Sequence, residues 1–112
     1  MSSQDRKSTR LESDQFISYR VYDSEDRICG EGMAKTRDIS RSGVAVENRT
    51  PFEINSKIEL TIALIEILVK TEGVVRNVDK IDDSTYHIGI QFTDITEDEI
   101  QKIAKEFPQI LE

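Results

Sequence analysis

The sequence predicts a mainly β domain, a six-stranded antiparallel β-barrel followed by one C-terminal α-helix. Three observations carry that expectation. Apolar and polar residues alternate with period two in several short stretches, as they do in half-buried strands. Clusters of Asp, Ser, Asn, Gly and Pro separate these stretches, which suits the turns of an all-β chain. The period changes to 3.6 only after residue 95, behind a helix-start signal.

Residues 1–15 are polar and have neither period, so they are read as a flexible N-terminal arm. Phe16 to Tyr22 is the first strand, with Ile17, Tyr19 and Val21 facing a core and Ser18 and Arg20 facing out. Asp23 to Asp26 is a turn. Arg27 to Thr36 is the second strand, and Gly30 and Gly32 inside it mark a bulge or a bend. Asp38 to Gly43 reads as a polar loop, and Val44 and Val46 open the next strand until Asn48–Pro51 breaks it. Ile58, Leu60 and Ile62 alternate with polar neighbours as a fourth strand. Ala63 to Val69 is ambiguous, because its apolar run also fits a helix from Lys57 to Lys70. Enrichment in β-branched residues favours two strands joined by a tight turn near Leu64–Glu66. The second of these continues through Gly73–Val78, Asp82–Ser84 is a turn, and Tyr86, Ile88, Ile90 and Phe92 mark the last strand. His87 falls on its outer side. The barrel therefore spans residues 16–94.

The helix, over residues 95–108, has defined ends. Thr96 is a natural N-cap, Glu99 completes a capping box, and Ile95 and Ile100 can staple the start. Glu97, Asp98 and Glu99 complement the positive end of the helix dipole. Ile100, Ile103, Ala104 and Phe107 share one face, and Pro108 stops the helix.

The 112 residues fit a single domain, and 37% hydrophobic with 33% charged residues is an ordinary folded composition. The longest apolar-rich run, Ile58 to Val69, carries Glu59 and Glu66 and is too short to span a membrane. The N-terminus has no apolar signal region. A cytoplasmic protein without membrane insertion is expected. The single cysteine, Cys29, excludes an internal disulfide or structural zinc site and is expected to be a small buried side chain. No catalytic triad, metal cluster or phosphate-cradling glycine loop is present, so no enzyme and no cofactor are expected.

The net charge of −7 argues against non-specific binding of nucleic acid. Residues 1–41 hold eight Lys/Arg and eight Asp/Glu, whereas residues 42–112 hold seven against fourteen and carry the whole imbalance. Arg6, Lys7 and Arg10 cluster in the neutral part. That pattern suits a focused anion site.

Two motifs stand out. Arg6 and Arg10 form an RxxxR motif on the arm, and each guanidinium is a planar fork able to grip phosphate or the O6/N7 edge of guanine. Asp38, Ser40 and Gly43 form a DxSxxG motif. Asp38 can accept from the N1–H and amino group of guanine, or can cap a local turn. Ser40 can bond to a base or phosphate, or to its own backbone. Gly43 permits close backbone approach to an anion, or supplies a positive φ before a strand. Each motif alone matches many chains.

Together, in this order and at this separation, the motifs resemble those of the PilZ domain, a bacterial cyclic di-GMP receptor. Gly73-Val-Val-Arg76 resembles the family's GxVxR-like strand, and His87-Ile-Gly89-Ile-Gln-Phe92 its closing xIGxxF-like strand. The resemblance covers nearly the whole chain. It implies a PilZ-like split barrel, a non-enzymatic cyclic di-GMP receptor and a downstream protein partner. It also implies ligand binding by Arg6, Arg10, Asp38, Ser40 and Gly43. Lys7 and Arg41 add charge beside the motifs, with solvated surface charge as the competing reading. Arg76 is expected in a structural ion pair before a ligand contact. Asp5, next to Arg6, would repel a phosphate, and is expected to lower affinity or to disfavour a second, stacked ligand. The rival expectations are a protein-interaction adaptor on the same fold and a single-strand nucleic-acid binder on an OB-like barrel, which the −7 charge and absence of Trp disfavour.

Overall fold

The computed structural model describes residues 15–111. Arg6, Lys7, Arg10 and Asp5 lie outside them. Six strands, β1 (Phe16–Tyr22), β2 (Ile28–Ile39), β3 (Gly43–Asn48), β4 (Lys57–Ala63), β5 (Leu68–Asp82) and β6 (Thr85–Phe92), precede one α-helix, α1 (Glu97–Ala104). The strands close into an antiparallel barrel in the order β1-β2-β3-β6-β5-β4, with β4 pairing back onto β1. Among the described strands, closure leaves no free sheet edge. The expected fold class is thus the observed one.

Alternation builds the interior. Ile17, Tyr19 and Val21 of β1, Ile58, Leu60 and Ile62 of β4, and Ile88, Ile90 and Phe92 of β6 are all buried. The ambiguous segment resolves into strands: Leu64 N donates to Ile67 O at 2.9 Å and turns β4 into β5. The capping box is present in full, with Glu99 N donating to Thr96 Oγ1 at 3.1 Å and Thr96 N to Glu99 Oε1 at 3.0 Å. It aims Ile100, Ile103 and Phe107 into the core. The α-helix stops at Ala104, earlier than Pro108. Pro108 instead opens a 3-10 turn, Pro108–Leu111, which drops Ile110 fully into the core. A proline suits that first position, since its fixed φ costs no helical hydrogen bond there. No described helix is long and apolar enough to cross a membrane.

Of four register breaks among the described strands, one lies at Ile81 near the end of β5, and the other three bear on the expectations above. β2 has an extra residue at Cys29, between the pairs Val21↔Gly30 and Tyr22↔Ile28. This corrects one expectation, because the bulged Cys29 is exposed rather than buried. A second extra residue in β2, Arg37, separates Thr36↔Val46 from Asp38↔Ala45. A third, Arg76 in β5, separates Val75↔Ile90 from Asn77↔Gly89. Each inserted residue reverses which side chains point inward beyond it.

Candidate functional site

β2 runs three residues beyond Thr36, so Asp38 sits in a strand and the polar loop shrinks to Ser40–Ser42. The Arg37 bulge decides where Asp38 points. Ala34 and Thr36 are buried, and unbroken alternation would carry Asp38 inward. With the bulge, Asp38 is exposed and Ile39 takes the core position. The short loop is tied to β6, since Phe92 N donates to Ser42 O at 2.8 Å. Ser40 N donates to Gly43 O at 2.8 Å, and Ser40 Oγ lies 3.4 Å from Gly43 O and 3.2 Å from Ser42 Oγ. The Ser40 hydroxyl therefore has local partners that a ligand would have to replace.

Gly43 is a glycine for steric reasons. A Cβ there would lie 2.0 Å from the Ile90 carbonyl oxygen and 3.2 Å from Gln91 Cα, both backbone atoms of β6. No described glycine has a positive φ, so that alternative for Gly43 is set aside.

Asp38, Ser40 and Gly43 line one shallow cavity of about 360 Å³ on the outer face of β2, β3, β6 and β5. Its centre is almost bare of side chains. The register places Asp38, Ala45, Gly89 and Asn77 side by side across four strands. Ala45 and Gly89 make a flat floor, and Asp38 and Asn77 stand at its two ends.

Arg76 borders the same cavity. Its Nε donates to Gln91 Oε1 at 2.6 Å and its Nη1 to Asn55 Oδ1 at 3.2 Å. The expected ion pair is absent among the described residues. Two neutral carbonyl oxygens orient the guanidinium and leave its charge uncancelled. Asn55 can do this from a turn at φ 77°, a conformation that Asn tolerates better than most residues. Arg41, by contrast, reaches Glu97 Oε1 at 3.0 Å and is not a lining residue. A hydrogen bond from Gln101, and then the Arg41 partner, hold the Glu97 carboxyl below its usual range. The next outward-facing row along β3, β6 and β5 is Glu47, His87 and Asp79, with His87 Nε2 3.6 Å from Glu47 Oε1. Lys35 of β2 continues that row beside Glu47, so the margin carries one lysine and two carboxylates. No group of three or more metal-ligating side chains occurs among the described residues.

Asp38, Ser40, Gly43 and Arg76 thus border one cavity, Arg41 pairs with Glu97 outside it, and Asn77, Ala45, Gly89 and Gln91, which the sequence did not single out for the site, line it as well. Those four become neighbours only through strand register.

Among solved structures, the chain is similar to K. pneumonia MrkH, with 23% identity and a TM-score of 0.60 over 87% of this chain and 45% of that one. A structure of the K. pneumonia MrkH–c-di-GMP complex aligns at 19% identity and a TM-score of 0.45, covering 96% of this chain and 51% of that one. The chain spans about half the length of MrkH, and the first of these likenesses shows the fold. No curated protein matches. The family model of the PilZ domain matches residues 4–107, and the chain belongs to that family.

Proposed function

We propose that this chain is a non-enzymatic receptor for cyclic di-GMP. The observation that carries this reading is the convergence of Asp38, Ser40 and Gly43 on one cavity in a chain of the PilZ family. Asp38 accepts from the N1–H and exocyclic amino group of a guanine, an edge that adenine lacks. Ser40 meets a base edge or phosphate. Gly43 keeps the loop against β6, so that backbone N–H groups stay within reach of an anion. Arg6 and Arg10 close over the ligand from the arm, gripping guanine and phosphate. Arg76 supplies a fixed positive charge at the rim, and Lys7 a weaker phosphate contact.

Closure of the arm costs ordering entropy, which ligand contacts offset. The ordered arm presents a changed surface to a protein partner in the cytoplasm, an order–disorder switch. A protein-interaction adaptor with weak or no nucleotide binding is the alternative.

Titration calorimetry tests this reading. The chain binds cyclic di-GMP, and Arg10→Ala or Asp38→Ala weakens it at least tenfold. Lys7→Ala costs much less. Arg41→Ala costs less than about threefold, because an exposed pair such as Arg41–Glu97 contributes little. Comparable binding of cyclic di-AMP would remove the guanine-edge assignment, and no binding of either would favour the adaptor.

A further inference from the structure

The floor has a second polar end that the motifs do not explain. Asn77 lies at the far side of the row Asp38–Ala45–Gly89–Asn77, three strand spacings or about 14 Å from Asp38 between backbones. Its side chain folds back over the floor. A Cβ placed on Gly89 would sit 2.2 Å from Asn77 Oδ1 and 3.2 Å from Nδ2. Only a glycine at 89 leaves room for the amide in that position. Among the described residues this amide makes no side-chain hydrogen bond, although its neighbour Arg76 is fixed by two. Four devices therefore act at one place: a bulge that turns Asn77 outward, a glycine that admits its amide, a bare floor beside it and a donor–acceptor group without a partner.

We propose that Asn77 is a specificity-determining residue that reads a base edge of the bound nucleotide from the end of the floor opposite Asp38. The inference rests on the receptor reading above. A base is favoured over a phosphate at this position by the surrounding charge. Asp79, in the next outward row two residues along the same strand and about 7 Å away, disfavours an anion at this end, whereas Lys35 of that row stands on β2, three strands away. Arg76, on the opposite side of Asn77, is the group suited to phosphate. The O6/N7 edge of guanine presents two acceptors, and the Asn77 NH₂ group can donate to it. Asp38 accepts only, so the two ends address complementary edges.

Calorimetry with cyclic di-GMP on the full chain, with Asn77→Ala and Asn77→Leu, decides the matter. The loss of one hydrogen bond weakens binding about five- to tenfold in Asn77→Ala. Asn77→Leu restores side-chain volume but no donor, and binds no better than Asn77→Ala. Melting temperatures of both ligand-free variants stay within about 3 °C of wild type, because no structural bond is removed. Wild-type binding with unchanged affinity in Asn77→Ala overturns this inference alone. Recovery of affinity in Asn77→Leu also overturns it, by showing a packing role. Failure of the wild-type chain to bind overturns the receptor reading and this inference with it.

Discussion

Gly43→Ala separates a fold residue from a ligand contact. The added Cβ would meet the Ile90 carbonyl oxygen at 2.0 Å, the Ile90 carbonyl carbon at 3.1 Å and Gln91 Cα at 3.2 Å. None of these atoms belongs to a flexible side chain. Relief needs β3 to move away from β6 by about 1 Å, since ordinary carbon–oxygen contacts exceed about 3 Å. The movement strains the Gly43↔Gln91 pair at the start of β3. It also strains the 2.8 Å bonds from Phe92 N to Ser42 O and from Ser40 N to Gly43 O. Overpacking against rigid neighbours costs about 1–3 kcal/mol, and weakening one such bond about 1 kcal/mol more. A total near 3 kcal/mol lowers the melting temperature of a domain of this size by at least about 10 °C.

The assay is thermal melting by circular dichroism, with Gly30→Ala as the control. At Gly30 an added Cβ meets nothing within 4 Å. Gly30→Ala changes stability by less than about 1 kcal/mol, in either direction. A Gly43→Ala variant that melts within about 2 °C of wild type would refute the close-approach argument. The consequence for function is direct. Lost ligand binding in Gly43→Ala reports a displaced loop, whereas lost binding in Asp38→Ala reports a missing acceptor.

Three further outcomes are expected, two from the geometry and one, at Asp5, from the sequence. Thr96→Ala removes the N-cap acceptor for Glu99 N and lowers stability by about 1 kcal/mol, read as a drop of about 4–8 °C in melting temperature; an unchanged melt contradicts the capping assignment. The backbone N–H of Ser84, the leading cause, holds the Asp82 carboxyl below its ordinary 3.8. Its stabilising contribution is therefore present above that value and lost as pH falls through the depressed folded value. Asp82→Asn should melt lower than wild type at pH 7, with the gap narrowing as pH falls below the ordinary value, and a gap independent of pH would sink the assignment. Asp5→Ala raises cyclic di-GMP affinity or allows a second ligand to bind, read from calorimetric affinity and stoichiometry; unchanged values remove Asp5 from the account.

The fold was legible because alternation in strands and a capping box are local signals. Ile17, Tyr19 and Val21, or Ile88, Ile90 and Phe92, declare their face without reference to any partner strand. The helix start is equally local, since Thr96 and Glu99 lie within one turn. The site was only half legible. Asp38, Ser40 and Gly43 are close in the chain, but Gln91 and Asn77 reach the cavity from other strands, and Asn55 acts on it only through Arg76. Cys29 was misjudged for a different reason. Its burial was expected from residue type alone, whereas the inward positions of β2 up to Thr36 are even-numbered and leave residue 29 outside, at the bulge that Gly30 and Gly32 foreshadow.

The pattern did contain one signal for the missing half. Inward-facing residues in an unbroken strand are two apart, but in β2 they step from Thr36 to Ile39, and in β5 from Val75 to Val78. Each three-residue step encloses two consecutive polar residues, Arg37-Asp38 and Arg76-Asn77, and each coincides with a bulge. The two bulges lie on the strands that flank β3 and β6, at the same level of the sheet, because Asp38 and Asn77 share one row. An extra residue in a strand interrupts ladder hydrogen bonds and needs an offsetting benefit. Here the benefit is common to both: a polar residue that would have been buried is turned outward beside a floor formed by Ala45 and Gly89. A lone bulge is explained by barrel curvature. Two at one level, each raising a polar side chain at opposite ends of a bare floor, are what the proposed ligand site requires.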